Sequence, residues 1–452
     1  MDKTQAQEFI SNVFQSKFDP EQYALLVRNL LNNFEHRENN YQGGSLWEAY
    51  REHISQYRRI GKYTDPNGDA LDILIVEVKS LSKLERARTS LRNFVVKHLQ
   101  TLEKDYAIAA FYSKEDGGKD WRFSFVKIEI ESERTEEGKI KTRKELTPAK
   151  RYSFLVGAYE NSYTAQKQLL PLLLNDYSNP NIEEIENTFS IEKVTDEFFE
   201  QYKELYLKLS ENKDLSEILV KVGLEPIRFT KKLLGQIVFL YFLQKKGWLG
   251  VPKNETWGKG DKKYMQYLFN EALKNGRNYF KDYLQYLFYE ALAKDRRDTA
   301  DPVYYRRFDC KIPFLNGGLF EADYDWEKSD IVIPNNLFRN EEKNKAGDKG
   351  TGIFDVFDRY NFTIKEDEPL EKEVAVDPEM LGKVFENMLE IKERKSKGAY
   401  YTPREIVHYM CQESLINYID TSVNEYSNAY KTVNSDQLNM FGGSNEDRKS
   451  VV

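Results

Sequence analysis

The chain has 452 residues, with 67 Lys and Arg against 74 Asp and Glu, a net charge of −7, and 14% aromatic residues. Such a length suits roughly two to four domains, and the aromatic content excludes a disordered chain. The acidic balance excludes an overall cationic nucleic-acid coat, though not a local basic cleft. Two cysteines, Cys310 and Cys411, exclude a disulfide scaffold or a cysteine-rich zinc site and point to a reducing, cytoplasmic setting. The longest aliphatic and aromatic run, Ile237 to Leu243, is far short of the ~20 residues a membrane span needs. The opening MDKTQAQEF has no apolar secretory segment.

In chain order, residues 1–60 read as helical, with apolar residues at helical spacing in QEFISNVFQ and QYALLVRNLLNNF. DPNGD punctuates two β-prone runs and predicts a hairpin. Its second strand, Leu71 to Val78, is mostly aliphatic and should be buried on both faces. One charged amphipathic helix is expected over Leu81 to Lys104, then strands in DYAIAAFYS, WRFSFVKIEIE and TPAKRYSFLVG. That closes an α/β unit, residues 1–165. The text of 166–395 is mainly helical. The helix around Gly235 to Leu243 is apolar on nearly every side and should lie at the centre of a bundle. Residues 396–452 open with a sharp turn motif and end in a polar tail, expected to be disordered beyond Asp420 or to begin a further element.

That motif is GAYYTPREIVHYM, Gly398 to Met410. Thr402 reads as an N-cap, Pro403 as the first helical residue and Glu405 as the third, which makes a capping box. The free amides of such a helix start can seat a carboxylate or phosphate. Gly398, Tyr400, Tyr401, Thr402 and Pro403 match, position by position, the Gly-x-Tyr-[Tyr/Phe]-Thr-Pro turn of N6-adenine DNA methyltransferases. The preceding DPEMLGKVFENMLE resembles their lead-in helix, and LLGQIVFLYFLQKKGWL resembles their connecting helical domain. Over roughly 230–418 the chain resembles the large single-chain type II restriction-modification enzymes, of type IIG character. These fuse nuclease, helical connector, methyltransferase and target-recognition parts.

The resemblance implies S-adenosylmethionine as cofactor, with Gly398, Tyr400, Tyr401, Thr402 and Pro403 at its methionine end. It implies double-stranded DNA as partner, adenine-specific methylation, phage defence as the setting, and possible cleavage. The methyltransferases also need a glycine-rich cofactor turn and an Asn-Pro-Pro-[Tyr/Phe] loop that grips the flipped adenine. Neither is present. The one Asn-Pro pair, Asn179-Pro180, is followed by Asn181-Ile182. The expectation is an N-terminal piece of a longer enzyme, a split subunit or the product of a broken reading frame. The remaining methyltransferase and target-recognition parts would then be supplied in cis or by a separate chain.

Fused enzymes of this kind often begin with a Mg²⁺ nuclease of the PD-(D/E)xK class, in which a carboxylate pair binds the metal and a lysine assists the attacking water. Here Glu77-Val78-Lys79 closes the buried strand. Period-two geometry puts Glu77 and Lys79 on one face, so they are the candidate catalytic pair, with Glu77 the metal ligand. A second carboxylate is harder to find. Asp72 has the opposite parity. Asp69 has the right parity but lies about 26 Å away at ~3.3 Å per residue. A hairpin turning at Asn67 places Gln56, Tyr57 and Arg58 across from Glu77, none of them acidic. Glu48, Glu52 or, with an irregular turn, Asp65 could complete the set. Arg88 and Arg92 share a helix face that could contact phosphate, or be simply solvated. The histidines, His36, His53, His98 and His408, show no metal-ligand spacing. Two rivals remain to the fused-enzyme reading: a non-catalytic docking subunit of a defence complex, and a stand-alone Mg²⁺ nuclease.

Overall fold

A computed structural model describes residues 1–128, 132–134, 140–142, 149–298, 301–315, 318–345, 347–363, 371–378, 382 and 404–440. Residues 1–378 make one compact unit and 379–452 a second. The expected boundary at 165/166 falls inside the first unit.

The first unit opens with α1 (Lys3–Phe14) and α2 (Pro20–Leu30). Asp2 and Gln5 form a capping box on α1, and Asp19 caps α2 ahead of Pro20. Then comes a strand that the helical reading of 1–60 does not contain, β1 (Glu35–Gln42). It is exposed almost throughout, so it lacks the apolar face by which a strand is recognised. The hairpin follows as β2 (Ile54–Thr64) and β3 (Ala70–Val78). Its DPNGD turn is built on Asp65, whose Oδ1 accepts the amides of Asn67 at 2.8 Å and Asp69 at 2.9 Å, while Gly68 takes φ +94°. β3 is buried from Leu71 to Val78.

After β3 the expected single helix is two, α3 (Leu81–Arg86) and α4 (Arg88–Thr101), broken at Ala87. No glycine or proline marks the break. Beyond it, Arg88 and Arg92 are buried, so neither forms the solvent-facing basic stripe. β4 (Tyr106–Ser113), β5 (Asp120–Lys127) and β8 (Lys150–Gly157) follow, with β6 (Ser132–Arg134) and β7 (Ile140–Thr142) forming a separate small hairpin. Later in the chain come β9 (Tyr304–Tyr305) and β10 (Cys310–Lys311), which pair with each other, and β11 (Glu371–Glu373); among the described residues the main sheet has seven strands in the order β1-β2-β3-β4-β5-β8-β11. β3 and β4 are parallel, as are β8 and the late strand β11; the other pairs are antiparallel. The mixed sheet with flanking helices is an α/β arrangement, as expected.

Two layers of side chains cover β3. Leu74, Val76 and Val78 pack with Leu91, Phe94, Val95 and Leu99 of α4. On the other face lie α1 and α2, and Tyr23 of α2 donates its hydroxyl to the Leu74 carbonyl at 3.2 Å.

The helical part contains α5 (Tyr163–Leu174), α6 (Ile182–Asn187), α7 (Ile191–Ser210), α8 (Lys213–Lys221), α9 (Pro226–Lys245) and α10 (Tyr264–Lys274). α9 buries Leu233, Leu234, Ile237, Val238, Leu240, Tyr241, Phe242 and Leu243, which fits its apolar circumference. The next run, legible as an ordinary helix, adopts π-helical hydrogen bonding over Phe280–Leu284 and Leu287–Leu292. Aromatic contacts tie these elements to α11 (Ile353–Phe357): Phe198 to Phe357 at 6.1 Å, Tyr241 to Phe357 at 5.3 Å, Phe269 to Phe354 at 5.5 Å. Among the described residues no helix is long and apolar enough to cross a membrane.

Among the described residues of the second unit, a helix, α12, runs Arg404–Met440. It extends past Asp420, where the tail was expected to be disordered or to begin a further element. The segment contains neither glycine nor proline until Gly442-Gly443, so nothing in it breaks a helix.

β11 brings Glu373 into the interior. It pairs with Arg88, 285 residues away in sequence, and with Arg122 at 3.0 Å. Burial works to raise the Glu373 carboxyl, but the Arg122 and Arg88 charges overcome it and hold it near 2. Glu373→Gln should destabilise the fold on the order of 3–5 kcal/mol, because two buried guanidiniums lose their carboxylate. The wild type should also lose stability on acidification. The folded pKa lies below the ordinary carboxylate value of about 4.3, so the contribution is complete above that pH and fades as pH falls towards 2. Chemical denaturation from pH 7 down to pH 3 checks both: Glu373→Gln should start less stable and show a shallower acid slope.

Candidate functional site

β2, β3, β4 and β5 align Gln56, Glu77, Tyr112 and Trp121 in one row across the sheet. Glu77 is 7% exposed. Its Oε2 accepts Gln56 Nε2 at 2.6 Å and Tyr112 Oη at 3.0 Å, and pairs with Lys114 Nζ at 2.7 Å. Burial favours the neutral acid, yet the bonds from Lys114, Gln56 and Tyr112 prevail and keep the carboxyl below its usual range. Glu77 is therefore ionised at neutral pH. Phe18 stacks on the Tyr112 ring at 4.4 Å and fixes that wall of the site.

The hairpin register places Gln56 opposite Glu77, the neighbour derived from a turn at Asn67. Lys79 lies one residue beyond β3, exposed, with its amide bonded to the His53 carbonyl at 2.9 Å. The lysine in contact with Glu77 is Lys114, which sequence parity did not single out. Its position just past the end of β4, which runs parallel to β3, is the only clue the sequence offers.

Three of the possible second carboxylates are engaged elsewhere, and Glu48 is exposed on the short turn before β2. Asp72 points to the α4 face, where it meets Arg59 at 2.8 Å, His98 at 2.9 Å and Lys104. Asp65 holds the hairpin turn and accepts the Ile182 amide at 3.1 Å. Glu52 pairs with Lys83 at 2.5 Å. Among the described residues no group of three His, Cys, Asp or Glu side chains is arranged to hold a metal ion. The donors around Glu77 are one carboxylate, an amide, a phenol and an ammonium. The Oε2 of that single carboxylate is already taken by three donors, one of them a cation, so the set does not fit Mg²⁺, and no metal-dependent step is derived through it. What the arrangement can do is keep a buried anion fixed beside an exposed lysine at the end of the sheet.

A second concavity, of about 330 Å³, lies between the sheet and α9 and is lined by Asp120, Glu160, Lys245, Asp358 and Tyr360 among others. Glu160 and Lys245 pair at 2.6 Å. Burial pushes Asp120 up to about 6, helped by the nearby Glu160 charge. No motif in the sequence pointed to Asp120, Glu160, Asp358 or Tyr360. Gly398, Tyr400, Tyr401, Thr402 and Pro403 lie outside the described residues. His408 and Cys411, further along α12, are exposed.

No family model matches the chain, and no solved structure does. It is 27% identical over 252 residues to a protein of Methanocaldococcus jannaschii named "Putative type II restriction enzyme and methyltransferase RM.MjaORFECS2P". The match takes in 50% of this chain and 19% of that protein. The chain thus spans about a fifth of the relative's length. The likeness supports a relationship to restriction-modification enzymes.

If Glu77 is held as these contacts require, Glu77→Ala should cost about 1–3 kcal/mol, since Gln56 and Tyr112 lose a buried acceptor. Glu77→Gln keeps an acceptor and should cost less. Lys114→Ala should matter little to stability, because its side chain is 69% exposed. Urea midpoints of the three variants give the order.

Proposed function

We propose that this chain is a portion or subunit of a DNA restriction-modification enzyme, one that methylates the N6 amino group of adenine in double-stranded DNA. The carrying observation is the 252-residue likeness to a relative named for restriction and methylation. The match of Gly398, Tyr400, Tyr401, Thr402 and Pro403 to the methyltransferase turn supports it. S-adenosylmethionine supplies the methyl group when bound. By the sequence resemblance, Thr402 is assigned the N-cap and a contact to the cofactor's carboxylate end, and Tyr401 a cofactor contact outside the capping box. The glycine-rich turn and the Asn-Pro-Pro loop come from further sequence in cis or from a separate chain.

The α/β part, in this reading, is a nuclease-like domain. Its order of strands β1-β2-β3, crossover helix and parallel β4 supports that. The solitary Glu77 carboxylate favours a second reading of the same domain, in which it positions DNA or docks other parts without cutting.

Three measurements test the proposal. Titration calorimetry of the chain alone should show S-adenosylmethionine binding weakly or not at all; micromolar affinity would contradict the split pocket. With the full set of partners, Mg²⁺ or Mn²⁺ and duplex DNA, any nicking should vanish in Glu77→Ala and Lys79→Ala. Absence of wild-type cleavage would favour the non-cutting reading. In the completed enzyme, Thr402→Ser should be mild. Thr402→Val should lose about 1 kcal/mol of local stability with the cap and also raise the KM for S-adenosylmethionine. Tyr401→Ala should raise KM with little effect on Tm. If all three variants track Tm alone, the turn has no cofactor role.

A further inference from the structure

The end of α9 leads into a loop built on glycines. Gly247 has φ +69°, and its carbonyl accepts the amides of Gly258 at 3.0 Å and Gly260 at 2.9 Å. A Cβ on Gly247 would stand 2.5 Å from the Gly258 carbonyl oxygen. Two backbone stretches are therefore locked together with no room for side chains. Each carries a tryptophan next to its locking glycine: Trp248 follows Gly247, and Trp257 precedes Gly258. Their ring centroids are 6.3 Å apart.

Both indoles line a cleft of about 350 Å³ that also includes Arg296, Arg297, Val303 and Phe314. Arg296 is immobilised, bonding the carbonyls of Pro302 at 3.1 Å, Ile312 at 2.9 Å and Ala291. Lys246 Nζ stands 3.9 Å over the Trp248 ring. Arg297 is 82% exposed and pairs with Asp295 at 2.5 Å. Residues 246–260 and 294–311 together hold nine Lys and Arg against five Asp and Glu, in a chain whose overall balance is acidic. Rigid aromatic faces with cations at the rim suit a flat base carrying a phosphate. The same cations argue against a cationic guest in the aromatic cleft.

We propose that the Trp248–Trp257 cleft seats one unpaired nucleotide of DNA, its base against the indoles and its phosphate near Lys246 and Arg297. This rests on the DNA reading above and adds a site for a base outside the duplex stack, in the helical part and apart from the methyltransferase turn.

The test uses the full chain with three probes: a fully paired duplex, the same duplex with a single-nucleotide bulge, and an oligothymidylate. Fluorescence anisotropy gives the Kd of each, and thermal melting confirms folding; Trp257 is 41% exposed, so its replacement should leave the core intact. Wild type should prefer the bulged duplex and the oligothymidylate over paired duplex. Trp257→Ala should weaken both by about tenfold and leave paired duplex unchanged, while Trp257→Phe should restore most of the loss. Paired duplex bound, with no effect of Trp257→Ala on the other two probes, would overturn this cleft alone. No binding of any probe would overturn the DNA reading with it. Free thymidine monophosphate bound as tightly as the oligothymidylate would also overturn the proposal, by making the cleft a mononucleotide site.

Discussion

The parallel pairing of β3 with β4 is the constraint from which the α/β part follows. Parallel neighbours cannot be joined by a tight turn, so the chain must cross one face of the sheet, and α3 and α4 make that crossing. With α1 and α2 on the other face, β3 is buried on both sides. Any charged residue on it must then find its partners within the protein. Asp72 and Glu77 sit on opposite faces of this strand and solve the same problem in different ways. Asp72, in mid-strand, is surrounded by Arg59, His98 and Lys104. Glu77, near the strand end, is held by two neutral donors and one lysine whose side chain reaches solvent. Glu77 is thus the charge on β3 that lies within reach of the surface.

Charge burial recurs at the far side of the sheet. β11 returns late in the chain to add the last strand, and its Glu373 meets Arg88 and Arg122. This contact links the crossover helix, the middle of the sheet and the segment after the helical part. It gives a physical reason why residues 1–378 form one unit, although the text changes character near residue 165.

What could be read from the sequence follows where the side chains carry a pattern. β3 is legible because an aliphatic run between DPNGD and a serine cap admits few alternatives. The hairpin register is legible because Asp65 and Gly68 fix the turn, so the stretch Gln56 to Arg58 could be placed across from Glu77, and Gln56 is the residue that pairs with it. The opposite parity of Asp72 was legible for the same reason. β1 was not, because a polar edge strand hydrogen-bonds through its backbone and leaves no apolar period. The break at Ala87 and the π-helical turns at Phe280–Leu284 and Leu287–Leu292 are tertiary effects. Their local sequences read as ordinary helix. Lys114 and Glu373 escaped notice because they depend on strands meeting across long sequence separations. Beyond Asp420 polarity suggested disorder or the start of a further element, and the absence of glycine and proline favours helix as far as Met440.

The same reasoning separates the strands from the loops as places to look for function. Where the sheet dictates position, charged groups are consumed by their neighbours: Asp72 by Arg59, Lys104 and the His98 ring, Glu373 by its arginines, Glu77 in part by Lys114. The glycine-locked loop after α9 differs. Its backbone is fixed by its own amides and carbonyls, so its side chains are not needed to hold it in place. Trp248 and Trp257 remain partly open to solvent on a rigid support. A large aromatic surface left uncovered on a frame that does not require it has a cost in water, and a ligand that covers it recovers that cost. The sheet therefore supplies the stable frame, and the loop beyond α9 supplies the free aromatic surface on which recognition can be built.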